Sequence, residues 1–265
     1  MKPFSFRSKV QSRLSARLNS LLLLLSVVIL TTFSQAANSA DVALPHMGAG
    51  KRPVIVIGFL GGFVRHDDVR HSEVQLAKKL GEEYGDRARV GIFENRHRED
   101  AHAAVLNWLD ENRNGLSDHE KAGAHIVIYG HSWGAAAVLA LARELEKDRI
   151  PVLLTIQVDS IGKPGLDDRL VPANVARAVN FYQTGGALHG NPQIVAADPA
   201  RTQILGDFRF DYKAEPAPCS AYPWFARHFL KGHTSIECDP KVWSRVEALI
   251  SEYFVPTETQ AANGR

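Results

Sequence analysis

The stretch IVIYGHSWGAAAVLALARELEKD, residues 126–148, decides the fold of this 265-residue chain. The apolar run IVIY is typical of a strand buried on both faces, and AAAVLALARELEKD is typical of a helix. Ser132 lies between Gly130 and Gly134, where the strand gives way to the helix. The stretch therefore predicts a parallel strand, a sharp turn that carries Ser132, and a helix.

The same strand-and-helix unit recurs along the chain on both sides of this stretch. Predicted strands cover 53–62, 89–96, 124–130, 150–160, 175–183 and 203–212. Predicted helices run from about Val74 to near Gly81, over 100–112, after GHSWG, and over 239–254. This alternation predicts an α/β fold, a three-layer sandwich with a mostly parallel, doubly wound sheet. Ligands of such sheets bind at the carboxyl ends of the strands.

Residues 1–36 have a different character. They begin with a basic segment that holds five Lys or Arg side chains and no acid, followed by the apolar run LLLLLSVVILTTF and by SQA. This order predicts a secretory signal peptide, cleaved after Ala36 or as late as Ala40. The apolar run is shorter than the roughly 20 residues of a membrane span, so an uncleaved anchor is the less favoured alternative. We therefore expect an exported protein, periplasmic or extracellular, without a stable membrane span in the mature chain.

The charge balance of the mature chain excludes one class of partner. The whole chain has 31 basic and 29 acidic residues, and without the leader 26 basic residues remain against the same 29 acidic ones. Because no basic cluster remains, no nucleic-acid partner is expected. The remaining length suits one α/β catalytic domain, expected at 41–256, with a disordered tail at 257–265.

Ser132 is the candidate nucleophile. A GxSxG pattern at a strand-to-helix turn projects the serine hydroxyl above the sheet, while the glycines relieve crowding. The alternative is a glycine-rich turn with an ordinary serine. A catalytic serine needs a base, and the base needs an orienting acid.

Three histidines that follow Ser132 in the chain are candidates for the base, because the partners come after the serine in this architecture. His189 lies in a glycine-rich loop, and His228 lies in YPWFARHFLKG, which is predicted as a short helix. His233 lies in KGHTSIECDP, predicted as a loop before the last helix and five residues from Cys238. We prefer His233, with an ordinary surface-loop histidine as the alternative.

Asp159 is the preferred acid, because it ends the strand that follows the unit of Ser132 and so lies at the same edge of the sheet. A turn-capping role is the alternative. Other aspartates lie in a charged loop or near the sixth strand: Asp167, Asp168, Asp198, Asp207 and Asp211.

Two further features complete the predicted site. An acyl-transfer site needs backbone donors for the oxyanion. These are expected from Trp133 and from GFLGG (58–62), at Phe59 or Leu60, although GFLGG also suits an ordinary turn. The even pair Cys219 and Cys238 predicts a disulfide in an exported chain.

The chain resembles the α/β-hydrolase superfamily, and more loosely its small secreted lipase-like and esterase-like members. The resemblance rests on four segments in this order: GFLGG, GHSWG, VDS and GHTSIE. The resemblance implies Ser132 as nucleophile, His233 as base, Asp159 as acid, and Phe59 and Trp133 in the oxyanion hole. It implies an exported serine hydrolase that cleaves a small-molecule or lipid ester through an acyl-enzyme, with no required cofactor and no metal in the site. Alternatives are a thioesterase or acyltransferase with the same triad, and a non-catalytic lipid- or glycan-binding protein.

The segment DENRNGLSDHE, residues 110–120, has a weaker similarity to a calcium loop. Its first, third, fifth and sixth positions are Asp110, Asn112, Asn114 and Gly115. The twelfth position, however, is Lys121. An Asn-Gly helix stop is the preferred interpretation, and a structural calcium ion remains the alternative.

Overall fold

A computed structural model describes residues 52–213, 217 and 219–255. The strands are β1 (Val54–Leu60), β2 (Ala88–Glu94), β3 (Ile126–His131), β4 (Val152–Val158), β5 (Leu170–Val171), β6 (Val175–Gln183), β7 (Val195–Ala196) and β8 (Gln203–Phe210). The helices are α1 (Ser72–Tyr84), α2 (Arg98–Leu109), α3 (Asp118–Ala122), α4 (Trp133–Lys147), α5 (Trp224–Phe229), α6 (Lys231–Cys238) and α7 (Pro240–Ser251), with 3-10 turns at Gly85–Arg87 and Glu252–Phe254. The predicted signal peptide at 1–36 and tail at 257–265 lie outside the described residues.

The main sheet has the strand order β2-β1-β3-β4-β6-β8, and every neighbouring pair is parallel. β3, which leads into GHSWG, therefore lies in the interior of the sheet between β1 and β4. β5 and β7 form a separate parallel pair. Because parallel neighbours must be joined by crossovers, the helices cover both faces of the sheet. The prediction of a doubly wound α/β fold is confirmed.

The alternation of side chains along β1 accounts for the three layers. Ile55, Ile57 and Phe59 point to one face, where they share a core with α2 and α4. Val54 and Val56 point to the other face, where they share a core with α1 and α7. Both faces of the strand are thus buried, as its continuous apolar sequence predicted. No helix among the described residues has the length and apolar character that a bilayer crossing requires.

The structure changes the bounds of two predicted helices. α1 does not stop near Gly81 but continues to Tyr84 and ends at Gly85, whose φ of +49° favours glycine. α2 begins at Arg98 and ends at Leu109, earlier at both ends than predicted. A glycine inside a helix costs only about 1 kcal/mol, and burial of Leu76 and Leu80 on the sheet offsets that cost.

The segment that carries His233 is a helix, α6, and the prediction of a loop there was wrong. Gly232 and Thr234 have low helix propensity, but residues 232–237 are all buried, and tertiary packing outweighs propensity. Gly232 is needed here, because a β-carbon would collide with the side-chain carbonyl of Gln183. The predicted disulfide is present: Cys219 and Cys238, with Cα atoms 5.6 Å apart, tie the end of α6 to the segment before α5.

Candidate active site

Ser132 forms the turn between β3 and α4 in a strained backbone conformation, with φ 58° and ψ −125°. The flanking glycines make this turn sterically possible. A β-carbon on Gly130 would lie 2.7 Å from the backbone of Gly134, and one on Gly134 would collide with the Phe59 carbonyl. The Ser132 amide donates to the Val158 carbonyl over 2.9 Å, which holds the turn against β4. The local sequence thus fixes the direction of the hydroxyl, as in a nucleophile elbow.

Three side chains from distant parts of the chain meet at this turn. The distance from His233 Nε2 to Ser132 Oγ is 2.9 Å, and that from His233 Nδ1 to Asp159 Oδ2 is 2.7 Å. Both distances are within the reach that proton transfer requires. Ser132 and His233 are each 7% exposed, and Asp159 is fully buried. The arrangement can move a proton from the serine hydroxyl to the imidazole and stabilise the imidazolium that results.

The two other candidate histidines do not join this group. His189 lies in the loop after β6, with its Nδ1 3.2 Å from the Gly190 carbonyl oxygen. His228 lies on α5, where its exposed ring contacts the Trp224 carbonyl over 2.7 Å. His233 is therefore the histidine that the fold brings to Ser132.

Asp159 directly follows β4, and backbone and side-chain donors surround its carboxylate. Oδ1 accepts from the Gly190 amide over 2.6 Å and from the Gln183 amide over 3.2 Å, and Oδ2 accepts from Gln183 Nε2 over 2.9 Å. Burial alone would raise the pKa of Asp159, but the hydrogen bonds from His233, Gln183 and Gly190 outweigh it and hold the pKa below its usual value. The carboxylate is thus ionised at neutral pH and can orient His233.

Gln183 is a positioning residue that the sequence did not reveal. It ends β6, the strand next to β4, and it contacts Asp159 through both its backbone and its side chain. The side-chain amide also donates to the Leu188 carbonyl over 3.0 Å. Gln183 therefore fixes both the acid and the loop that supplies the Gly190 donor.

We expect Gln183→Met to lower kcat about tenfold and to leave KM nearly unchanged. Methionine keeps the length of the side chain but removes a hydrogen bond to an ionised group, worth roughly 1.5–3 kcal/mol. Steady-state kinetics on a p-nitrophenyl ester measures the change, and Gln203→Met, an exposed substitution at the start of β8, is the control. Equal kcat values in the two variants would remove Gln183 from this role.

Phe59, one of the two predicted oxyanion donors, lies in a strand next to the one that leads into Ser132. Phe59 lies within β1, in register with Phe93 of β2 and Gly130 of β3, and its side chain is fully buried away from the cavity beside Ser132. The residues of GFLGG that line this cavity are Gly61 and Gly62. β1 ends at Leu60, two residues before the predicted end at 62, and the oxyanion donor at Phe59 or Leu60 stays a prediction.

Trp133 and the glycine loop line the cavity on two sides of Ser132. Trp133 lines the cavity and is the first residue of α4, a position whose N–H has no partner within the helix. On the other side, Asn95 Nδ2 donates to the carbonyls of Leu60 over 3.0 Å and Gly62 over 2.6 Å, which fixes the glycine loop. Asn95, at the end of β2, is a second supporting residue that the sequence did not reveal.

Beside Ser132 opens a mostly apolar cavity of about 360 Å³. Its apolar lining includes Val64, Trp133, Ile161, Leu188, Phe225 and Leu230. The ring of Phe63, 80% exposed, packs edge-on against Trp133 with the ring centroids 5.6 Å apart. The volume falls in the range typical of small-molecule sites.

A polar cluster lies against the other side of His233. The rings of His131 and His233 are 4.6 Å apart between centroids, and His131 Nδ1 is 3.6 Å from a carboxylate oxygen of both Glu73 and Glu237. Burial lowers the pKa of His131 to about 4 and raises that of Glu73 to about 6. His71 Nδ1 contacts Glu237 Oε1. His71 and Glu237 are 166 residues apart in sequence, and no motif indicated the cluster.

The segment predicted as a helix stop or calcium loop is a tight turn. Asp110 Oδ2 accepts from the Gly115 amide over 3.1 Å, and Asn112 Oδ1 accepts from the Asn114 amide over 3.1 Å. Glu120 forms a capping box with Ser117 at the start of α3. Calcium binding there stays a prediction.

Comparisons with known proteins show that this chain is similar to solved structures in its fold only. No family model and no curated protein matches this chain. Among solved structures it is similar to an arylesterase, with 12% identity and a TM-score of 0.41 over 77% of each chain. It is also similar to a YdeN-like hydrolase from Pectobacterium atrosepticum, with 15% identity and a TM-score of 0.37 over 77% of this chain and 94% of that one. Independently of these, the parallel sheet, the turn at Ser132 and the chain order Ser–Asp–His are those of the α/β-hydrolase fold.

Proposed function

We propose that this protein is a serine hydrolase that cleaves a carboxylic ester through an acyl-enzyme. The observation that carries the proposal is the continuous hydrogen-bonded chain Ser132–His233–Asp159, with separations of 2.9 and 2.7 Å, at the edge of an apolar cavity. A buried, oriented imidazole in contact with a serine hydroxyl is the arrangement that activates this weak nucleophile.

In the proposed reaction, Ser132 Oγ attacks the ester carbonyl while His233 Nε2 accepts the hydroxyl proton. Asp159 stabilises the imidazolium. The backbone N–H of Trp133 and one from GFLGG, at Phe59 or Leu60, donate to the oxyanion. The tetrahedral intermediate collapses as His233 returns the proton to the departing alcohol, which leaves an acyl group on Ser132. His233 then takes a proton from water as the water attacks the acyl carbonyl, and it returns that proton to Ser132 Oγ as the acyl–oxygen bond breaks and the acid is released.

The cavity supports an ester with an apolar acyl group. Its walls are mainly aliphatic and aromatic, and burial of an acyl chain there gains roughly 0.8 kcal/mol for each methylene. A thioester, or transfer to an alcohol instead of water, uses the same residues and is the second candidate. A non-catalytic lipid- or glycan-binding protein is the third candidate.

We also propose that the protein acts after export. The Cys219–Cys238 disulfide is the supporting observation, because such bonds persist in oxidising compartments. The signal-peptide pattern of residues 1–36 agrees with this proposal.

Covalent labelling tests the proposal directly. A fluorophosphonate probe should add one phosphonyl group per chain, located by peptide mass spectrometry on Ser132, and p-nitrophenyl esters should block that labelling in proportion to their turnover. Thioesters and added alcohols assayed in parallel distinguish the second candidate. A wild-type protein that stays unlabelled but binds a lipid or glycan tightly would support the third candidate instead.

We expect Trp133→Ala to change acyl-chain preference more than it changes stability. The ring lines the cavity beside Ser132, with Lys163 Nζ 4.9 Å from its centroid, and its removal enlarges the acyl site. The ratio of kcat/KM for long over short p-nitrophenyl esters should rise about tenfold, since a pocket discriminates roughly 1–3 kcal/mol per methylene. Trp224→Ala, a 62% exposed position outside the lining, is the control. A uniform loss at all chain lengths would contradict this role.

A further inference from the structure

The polar cluster against His233 contains a carboxylate that no described residue satisfies. Glu73 is fully buried, neither of its oxygens makes a close hydrogen bond to a described residue, and its nearest donors are its own backbone amide and that of Gly61. His131 Nε2, in the same cluster, is also buried without a hydrogen-bond partner among those residues. A buried carboxylate is costly unless a cation or hydrogen-bond donors compensate it. His71 interacts with both Glu73 and Glu237, so one imidazole faces two carboxylates, and a bound cation would compensate the remaining charge.

The candidate ligand atoms lie close together. One donor atom each from His71, Glu73 and Glu237 lie within 4.8 Å of one another. His131 Nδ1 lies 3.6 Å from Glu73 Oε1 and 3.6 Å from Glu237 Oε2. Ligands about 2 Å from a tetrahedral zinc ion lie roughly 3.4 Å from each other. The spacing thus needs only small side-chain shifts to enclose an ion.

We propose that His71, Glu73 and Glu237 bind a zinc ion, with His131 Nδ1 as the fourth donor. Imidazole and carboxylate together suit zinc, whereas calcium and magnesium favour an all-oxygen set. One divalent ion also neutralises the two carboxylates. This inference does not depend on the proposed function, because zinc binding is measured without substrate.

The ion would connect three parts of the fold beside the triad. His71 and Glu73 lie at the start of α1, His131 ends β3, and Glu237 lies four residues after His233 on the buried face of α6. Zinc would therefore hold α6, and with it the His233 imidazole, against the sheet. Its role is to position His233, and no step of the proposed reaction passes through it.

The experiment uses the full mature chain, treated with a chelator and then titrated with zinc chloride. We expect one zinc per chain by elemental analysis after removal of excess metal, a rise in the melting temperature on zinc addition, and no comparable rise with calcium or magnesium. X-ray absorption of the zinc-loaded protein should show nitrogen and oxygen ligands without sulfur. If the chain is folded but retains no zinc and its melting temperature does not respond, the cluster is a hydrogen-bonded network and the proposal is overturned.

Glu73→Gln is the decisive variant, with Glu83→Gln, on the exposed side of α1, as its control. Because loss of even an outer-shell partner weakens metal binding by 10–100-fold, loss of this ligand should weaken zinc binding at least about 100-fold. Without metal, Glu73→Gln should melt no lower than the wild type, since it removes a buried, unpaired carboxylate. Equal zinc affinity in both variants would assign the bound ion to the surface and overturn the proposal. If Glu73→Gln fails to fold, His71→Ala provides the same comparison.

Discussion

Ser132→Ala is expected to lower kcat/KM for a p-nitrophenyl ester by at least about 10⁴-fold and to abolish fluorophosphonate labelling. The methyl group cannot attack the carbonyl, and no other described side chain occupies the position 2.9 Å from His233 Nε2. The fold should survive, because alanine adopts the same backbone strain as serine and only one hydrogen bond is lost. The free energy of unfolding should change by about 1 kcal/mol or less.

The control for this substitution is Ser244→Ala, at an exposed position on α7 away from the cavity. It should hydrolyse the ester and react with the probe like the wild type. Hydrolysis or labelling that persists in folded Ser132→Ala would exclude Ser132 as the nucleophile and, with it, the proposed function.

Asp159→Asn is expected to lower kcat about 10⁴-fold, as the same exchange does in other Ser-His-Asp triads, with little effect on the fold. The amide that replaces the carboxylate can donate to His233 Nδ1, and this selects the tautomer whose Nε2 carries a proton. That nitrogen then cannot accept the proton of Ser132. Burst and steady-state kinetics should locate the loss in acylation. The control is Asp211→Asn, an exposed aspartate that directly follows β8 as Asp159 follows β4.

The pH dependence of stability gives an independent check on Asp159. Its pKa in the folded protein lies below the ordinary value of 3.8, so the folded state favours the ionised carboxylate. This contribution is fully present above pH 3.8 and is lost as the pH falls towards the folded-state pKa. The difference in unfolding free energy between wild type and Asp159→Asn should therefore be largest near neutral pH and shrink in acid. A constant difference across this range would mean that the carboxylate is not ionised in the folded protein.

The features that the sequence predicted well are those that depend on local chemistry. β6 has the predicted bounds, because VARAVNFYQ is rich in β-formers and is bounded by turn residues. The turn at Ser132 was predictable because only glycines fit at 130 and 134. Asp159 was predictable because it directly follows β4. Parallel neighbouring strands end at the same edge of the sheet, so Asp159 lies near Ser132. α7 was recognisable from Asp239, which caps it by accepting from the Lys241 amide, and from Pro240 at its first position.

The features that the sequence did not predict depend on packing between distant segments. α6 has poor helix formers and exists because its faces are buried against the sheet. Gln183 carries no motif, and its role follows only from the neighbouring positions of β4 and β6. His71 and Glu237 are 166 residues apart, so only the folded chain places them in contact.

The separation of the proposed triad residues along the chain bears on the order of events in folding. Ser132 and His233 are 101 residues apart and Asp159 and His233 are 74 apart, and every neighbouring pair in the main sheet is parallel. Contacts of such long range form slowly, because the chain must lose loop entropy before they stabilise it. In a refolding experiment, esterase activity should therefore return after the helical circular dichroism signal. Recovered catalysis would then report that α6 has docked on an assembled sheet.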